Sequence, residues 1–278
     1  MTKLGFSLEI FPPKTSVDVT EIYNSFSSFA LLKPDFISVT YGAGGSTKRL
    51  TKEISRDIQQ NFNLASVAHL TCVGSSKENV KQILDEFSNE GISRILALRG
   101  DLPDSGEKNF GDFKYATDLI KFISDNGNFE IFAACYPEGH NENRDFNKDI
   151  EIAKIKSEMG VRVFVSQLFF ENDDFLNMRN AMEQKGISAS ILAGIMPLTN
   201  AKQILRIVQL SGAKLPAKLT KLVAKYEHAP DSLFKAGLDF SIEQIESLQK
   251  ANVDGIHLYT MNNPKIATYI HTNVKFNK

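Results

Sequence analysis

"SLEIFPPKT", residues 7–15, is an apolar run that carries one carboxylate, Glu9, and stops at Pro12 and Pro13. Proline cannot donate to a sheet ladder, so the pair marks the end of a strand and the turn beyond it. The run is the first of eight β-rich segments: "FSLEIF" (6–11), "DFISVT" (35–40), "SVAHLT" (66–71), "RILALR" (94–99), "EIFAAC" (130–135), "RVFVSQ" (162–167), "SASILA" (188–193) and "GIHLYT" (255–260). Stretches of helical periodicity separate them. "SKENVKQILDEFSNEG" places Val80, Ile83, Leu84 and Phe87 on one face and ends at Gly91. "TDLIKFISDNG" and "DFLNMRNAMEQKG" are likewise amphipathic and close on Gly127 and Gly186.

Eight strands alternating with helices over 278 residues fit a (β/α)8 TIM barrel, an α/β fold that typically takes about 250 residues. The alternative is an open Rossmann-like sheet. No strand is followed by GxGxxG, however, and "GAGG" at 42–45 lacks that spacing. Between the seventh and eighth strands, about residues 211–250, the sequence predicts two extra helices, "LPAKLTKLVAKY" and "SIEQIESLQKA". With no linker, repeat or low-complexity stretch, one domain over 1–278 is expected.

Composition narrows the function. Thirty-two basic residues against 33 acidic ones give no bias toward polyanions, so nucleic acid is not an expected partner. The longest apolar runs fall short of the roughly twenty residues a membrane span requires. The start, "MTKLGFSLEIF", does not resemble a signal peptide, and a soluble, cytoplasmic location is expected. Cys72 and Cys135 stand in no metal-binding spacing and read as buried apolar thiols. The five histidines form no HExxH pair, so no metal site is expected.

In a barrel the active site lies at the C-terminal strand ends. Alternation turns Ser7, Glu9 and Phe11 into the lumen from the first strand, and Phe36, Ser38 and Thr40 from the second. His69 and Thr71, Gln167, and His257 and Tyr259 point inward from the third, sixth and eighth, while "LRGDLP" and "YPEGH" bring further polar groups to the mouth. So many polar groups in one layer are costly unless they satisfy one another or meet a ligand. For Glu9, Phe11, Pro12 and Pro13 would restrict water, and desolvation raises a carboxyl pKa toward general-acid work. The alternative is that Glu9 pairs with Arg99 or another cation and orders the lumen.

"SLEIFPPKT", "FISVTYGAGGST", "AHLTCVG", "ILALRGDLP", "AACYPEGH", "VSQLFFEND", "AGIMPLTN" and "HLYTMN" follow the order and nearly the spacing seen in methylenetetrahydrofolate reductases. The resemblance runs from about residue 5 to residue 270. It implies a flavoprotein barrel that binds FAD and reduces 5,10-methylenetetrahydrofolate to 5-methyltetrahydrofolate, supplying methyl groups for methionine synthesis. The electron donor would be NADH or NADPH, used in ping-pong fashion; similarity to the short bacterial enzymes favours NADH. These enzymes are homo-oligomers and lack the C-terminal regulatory domain of eukaryotic relatives, so feedback inhibition by S-adenosylmethionine is not expected.

The resemblance assigns Glu9 as the catalytic acid at N10 of the folate, and Asp101 as the aspartate beside flavin and pterin. The alternative for Asp101 is a helix cap or turn residue. Gln167 would bind folate and the donor in turn, Thr40 would contact the donor, and Gln203 the folate. Flavin contacts are implied for Tyr41, Ala43, His69, Arg99, Gly100, Asp101, Ala116, Tyr136, His140, Asp149 and Lys156. Outside the resemblance, Lys156 reads as a solvated helix residue and His69 as a satisfied core histidine. Two departures stand out. Along the helix beyond Asp149, where relatives often carry an asparagine and an arginine for the diphosphate, this chain has Ile152 and Ile155. After "LYTMN", where arginine is common, it has Asn263. A flavin-free lyase would need a Schiff-base lysine or metal cluster at the strand ends, and a silent binding protein would have lost the lumen carboxylates; the sequence shows neither pattern.

Overall fold

The computed structural model describes residues 5–13, 16–41, 45–101, 110–142 and 144–276, apart from the side chains of 16–19, 45–48, 203, 205 and 210. Its strands are β1 (Phe6–Ile10), β2 (Phe36–Val39), β3 (Ser66–Thr71), β4 (Arg94–Leu98), β5 (Glu130–Cys135), β6 (Val163–Ser166), β7 (Ser190–Ile195) and β8 (Gly255–Tyr259). Each pairs in parallel with the next, and β8 returns to β1, which closes a barrel. Closure overturns the open-sheet alternative.

The crossovers are α1 (Ser16–Leu31), α2 (Gly45–Phe62), α3 (Lys77–Asn89), α4 (Ala116–Asn126), α5 (Phe146–Glu158) and α6 (Asn172–Gln184). After β7 come α7 (Ala201–Ser211), α8 (Ala217–Lys225) and α9 (Pro230–Lys250), and α10 (Pro264–Asn273) follows β8. The predicted "SIEQIESLQKA" is the second half of α9, which begins eleven residues earlier at Pro230. Ser76 caps α3 by accepting from Asn79 N–H at 3.2 Å. Gly91 and Gly186 close α3 and α6 in left-handed backbone, φ 75° and 72°. Gly127 ends α4 in extended backbone, φ −168°, so no left-handed cap forms there.

Two apolar layers hold the barrel. The outer one joins Leu8, Ile10, Val39, Leu70 and Ile95 to helix residues such as Val80, Leu84 and Phe87. The inner one plugs the lower lumen with Phe36, Val67, Leu96, Phe132, Val163, Val165 and Leu192. Each such side chain, fully buried, contributes about 1.5–3 kcal/mol by removal from water. One step further up, the lumen-facing positions change to Glu9, Ser38, His69 and Gln167, so the polar layer at the catalytic end sits on this plug and on Ser7 and His257, which complete its level from β1 and β8. No described helix is long and apolar enough to cross a membrane.

Candidate active site at the barrel mouth

Glu9 enters the lumen because Leu8 and Ile10, both fully buried, take the helix-facing side of β1. Its carboxylate meets groups from three other strands. Ser38 Oγ lies 3.5 Å from Oε2, His69 Nε2 3.5 Å and His257 Nε2 3.7 Å. His257 is itself held at both nitrogens, with Ser7 Oγ 2.8 Å from Nδ1 and Ser38 Oγ 3.3 Å from Nε2. Ser7 O–H can donate to Ile256 O at 3.3 Å, which leaves its oxygen to accept from His257 Nδ1–H. When Ser7 donates to Nδ1 instead, the ring proton sits on Nε2 and faces Ser38 and Glu9. Burial drives the His69 pKa down to about 4, against an opposing pull from Glu9, so that imidazole is neutral near pH 7.

Two expectations for Glu9 are corrected. It does not pair with Arg99, whose guanidinium binds Glu142 through both terminal nitrogens and donates from Nε to Gly100 O at 3.3 Å. Nor does Phe11 stand in the lumen beside it. β1 ends at Ile10, and Phe11 is 37% exposed, while Pro12 and Pro13 are buried. Proline has no N–H for the ladder, and the chain turns away before the alternation reaches Phe11.

Two adjoining cavities open at this end of the barrel. The first, about 690 Å³, is walled by Glu9, Thr40, Tyr41, His69, Gly100, Asp101 and Gln167. The second, about 620 Å³, runs between α4 and α5 and is walled by Ala116, Asp149, Ile152, Ile155 and Lys156. Arg99, Tyr136 and His140 border both. All the site residues expected from sequence therefore line one cavity or the other, except Ala43 and the Gln203 side chain, which lie outside the described residues.

Local chemistry sets each wall. Gly100 has φ 88°, and an added Cβ would lie 3.0 Å from Thr71 Cβ and Val73 Cγ1, so glycine is required where β4 turns under the first cavity. Gln167 Oε1 accepts from Leu168 N–H at 2.9 Å, which leaves its NH2 for the cavity. Tyr136 and His140 meet edge-to-face with centroids 4.6 Å apart, and Asp149 accepts from His140 N–H at 2.6 Å. Glu142 N–H donates to His140 Nδ1 at 3.3 Å, so the neutral ring carries its proton on Nε2; burial pushes its pKa down. Lys156, read alone as a solvated residue, is 7% exposed and donates to Ala134 O at 2.9 Å. Burial lowers its pKa, and Asp149 opposes the shift.

Cys72 and Cys135 are buried free thiols with pKa pushed up by burial to about 12, which leaves neither as a nucleophile. Among the described residues, no group of His, Cys, Asp and Glu could hold a metal ion. Ser7, Ser38, His257 and Glu142 join the site without having been singled out as site residues. Strand alternation placed the first three in the lumen; nothing in the sequence marked Glu142 as the partner of Arg99.

A family model described as "Methylenetetrahydrofolate reductase" matches residues 1–275. The 5,10-methylenetetrahydrofolate reductase of Pectobacterium carotovorum subsp. carotovorum is 31% identical over 271 residues, which covers 97% of this chain and 90% of the relative. The enzyme of the same name from Escherichia coli (strain K12) is 30% identical over the same shares. "Methylenetetrahydrofolate reductase (NADH) 1" of Arabidopsis thaliana is 34% identical over 97% of this chain and 48% of its own length. A solved structure, "Uncharacterized protein from Clostridium thermocellum binds two copies of 5-methyl-5,6,7,8-tetrahydrofolic acid", superposes with a TM-score of 0.68 over 98% of this chain and 97% of that one. At 12% identity, that likeness speaks for the fold alone.

Proposed function

Because this chain belongs to the methylenetetrahydrofolate reductase family, we propose that it reduces 5,10-methylenetetrahydrofolate to 5-methyltetrahydrofolate with FAD and a nicotinamide donor. Residues 1–278 act as one catalytic domain, and the donor and the folate take turns at one site. The donor is NADH, as the name of the Arabidopsis relative says of that enzyme. The product would supply methyl groups for methionine synthesis. The observation that carries this reading is the placement of Glu9: a lumen carboxylate opening on a cavity that Asp101, Gln167 and Thr40 also line.

The residues present fit FAD. Two adjoining cavities suit an elongated molecule with a planar ring at one end, and Lys156, with Arg99 once it exchanges Glu142 for the ligand, offers the cations its diphosphate needs. Ile152 and Ile155 make the second cavity's wall apolar, so Lys156 and Arg99 carry that charge without a neighbouring asparagine–arginine pair. When bound, the flavin supplies hydride chemistry.

The protein's own groups do the rest. Glu9 delivers a proton to N10 of the folate, which opens the five-membered ring to a cationic iminium at N5. Neutral His69 and the hydroxyl of Ser38, with His257 alongside, hold the carboxyl in place. Asp101, exposed at the rim, places negative charge where the cationic folate would sit. The Gln167 amide orients the folate and then the donor.

An absorbance spectrum of the purified protein, followed by NADH under anaerobic conditions, tests the proposal. Flavin bands that bleach with NADH and return with methylenetetrahydrofolate are expected. A colourless protein that neither binds added FAD nor passes electrons from NADH would overturn it.

A further inference from the structure

The β1–β8 ladder ends where Glu9 lies opposite Tyr259, yet the next two residues, Ile10 and Phe11, are not left loose. Glu9 O accepts from Thr260 Oγ1 at 2.8 Å and Thr260 N–H at 3.4 Å, and Ile10 O accepts from Thr40 N–H at 3.0 Å. At Phe11 a side chain takes over: Phe11 N–H donates to Asn262 Oδ1 at 2.9 Å, and Asn262 Nδ2 donates to Phe11 O at 2.8 Å. One carboxamide thus does for Phe11 what a strand neighbour would do. Pro12 and Pro13 have no N–H with which to continue.

The loop is built to present that amide. Met261 and Asn262 both adopt left-handed backbone, φ 52° and 57°, a conformation asparagine tolerates and methionine resists. Asn263 N–H closes the turn on Thr260 O at 3.0 Å, and the Asn263 side chain caps α10. Phe11 is itself 37% exposed, so the clamp does not serve to bury its ring.

We infer that Asn262 is a positioning residue for Glu9: by pinning the backbone two residues beyond the acid, it fixes the carboxylate beside His69, Ser38 and His257. The inference rests on the functional reading above. Asn262→Gly keeps the left-handed backbone and removes the amide, and Asn262→Asp keeps the acceptor and removes the donor. Because Pro12 and Pro13 carry no N–H, hydrogen exchange at Phe11 reports the clamp directly. The glycine variant should exchange that proton at least about tenfold faster, the aspartate variant less so. It should reduce folate roughly ten- to hundredfold more slowly at an unchanged folate KM, as expected for a misplaced reacting group. Flavin reduction by NADH should stay within about twofold of wild type in both variants. A glycine variant as fast as wild type with folate, or one in which both half-reactions fall together, overturns the inference. A wild-type chain that reduces no folate overturns the functional reading itself, a result told apart by its appearance before any substitution.

Discussion

Glu9 Oε2 stands 3.5 Å from His69 Nε2, and that buried imidazole is neutral near pH 7. A neutral histidine sets no full positive charge beside the carboxyl group. Among the described residues that line the first cavity, the one full cation, Arg99, is occupied by Glu142 and not by the acid.

Glu9→Gln should separate the two half-reactions. An amide retains the shape but has no proton to give, so folate reduction should fall at least about a hundredfold, the range in which general acids contribute. Stopped-flow reduction of the flavin by NADH should persist. If both half-reactions collapsed together, Glu9 would have no specific part in acid chemistry.

The fold should weaken on acidification through a defined window. His69 titrates near 4 in the folded chain against 6.5 unfolded, so between those values the unfolded state binds more protons. Stability then falls as pH drops from 6.5 to 4, by up to about 1.4 kcal/mol per pH unit. His140, also shifted down by burial, acts in the same direction. Urea melts at pH 7 and pH 5 should show the loss, and His69→Gln should reduce it; equal slopes for the two proteins would exclude His69 as a source.

Lys156→Met should move stability and cofactor binding in opposite directions. The ammonium is buried beside Cys135 with one carbonyl partner, and removing it relieves a desolvation penalty. The cofactor-free protein should gain about 1 kcal/mol, within the range for relieving such a group. Under the proposed function, in which Lys156 serves the diphosphate, FAD should bind about tenfold more weakly. Thermal melts without FAD and flavin-fluorescence titration read the two effects; a less stable variant would show that the bond to Ala134 outweighs the burial penalty.

Gly194→Ala should be poorly tolerated although its backbone is unexceptional. A Cβ there would lie 2.3 Å from Ser166 O and 2.8 Å from Tyr259 Cε2. The first of these is strand backbone and cannot move aside, and Tyr259 is held by its own bond to Ser166 O at 2.7 Å. A loss of at least about 2 kcal/mol is expected, typical of overpacking in a core, and the urea midpoint reports it. A midpoint unchanged from wild type would mean that β6 and β7 separate easily.

Much of this architecture is legible along the chain. Alternation in "SLEIF" is enough to turn Glu9 inward, and the 3.6-residue spacing of Val80, Leu84 and Phe87 is enough to place α3 against the barrel. Lys156 was not legible in this way. Its helix carries the lowest amphipathic contrast among the described helices, with Ile152 and Ile155 facing the second cavity and the lysine turned under Ala134. Phe11 failed for the opposite reason, since alternation predicts orientation only while a strand continues, and this one stops a residue earlier.

The sequence by itself determined the eight strands, their alternation with helices and the inward turn of Glu9, Ser38, His69 and His257, because these follow from local periodicity and from prolines and glycines that act on their own neighbours. Only the tertiary structure decided what those inward groups meet. Ser7 reaches His257 across 250 positions, Phe11 reaches Asn262 across 251 and Arg99 reaches Glu142 across 43. Such pairs form when barrel closure brings β8 beside β1 and the strand-end loops together over one opening, and no local pattern encodes a distance of that kind.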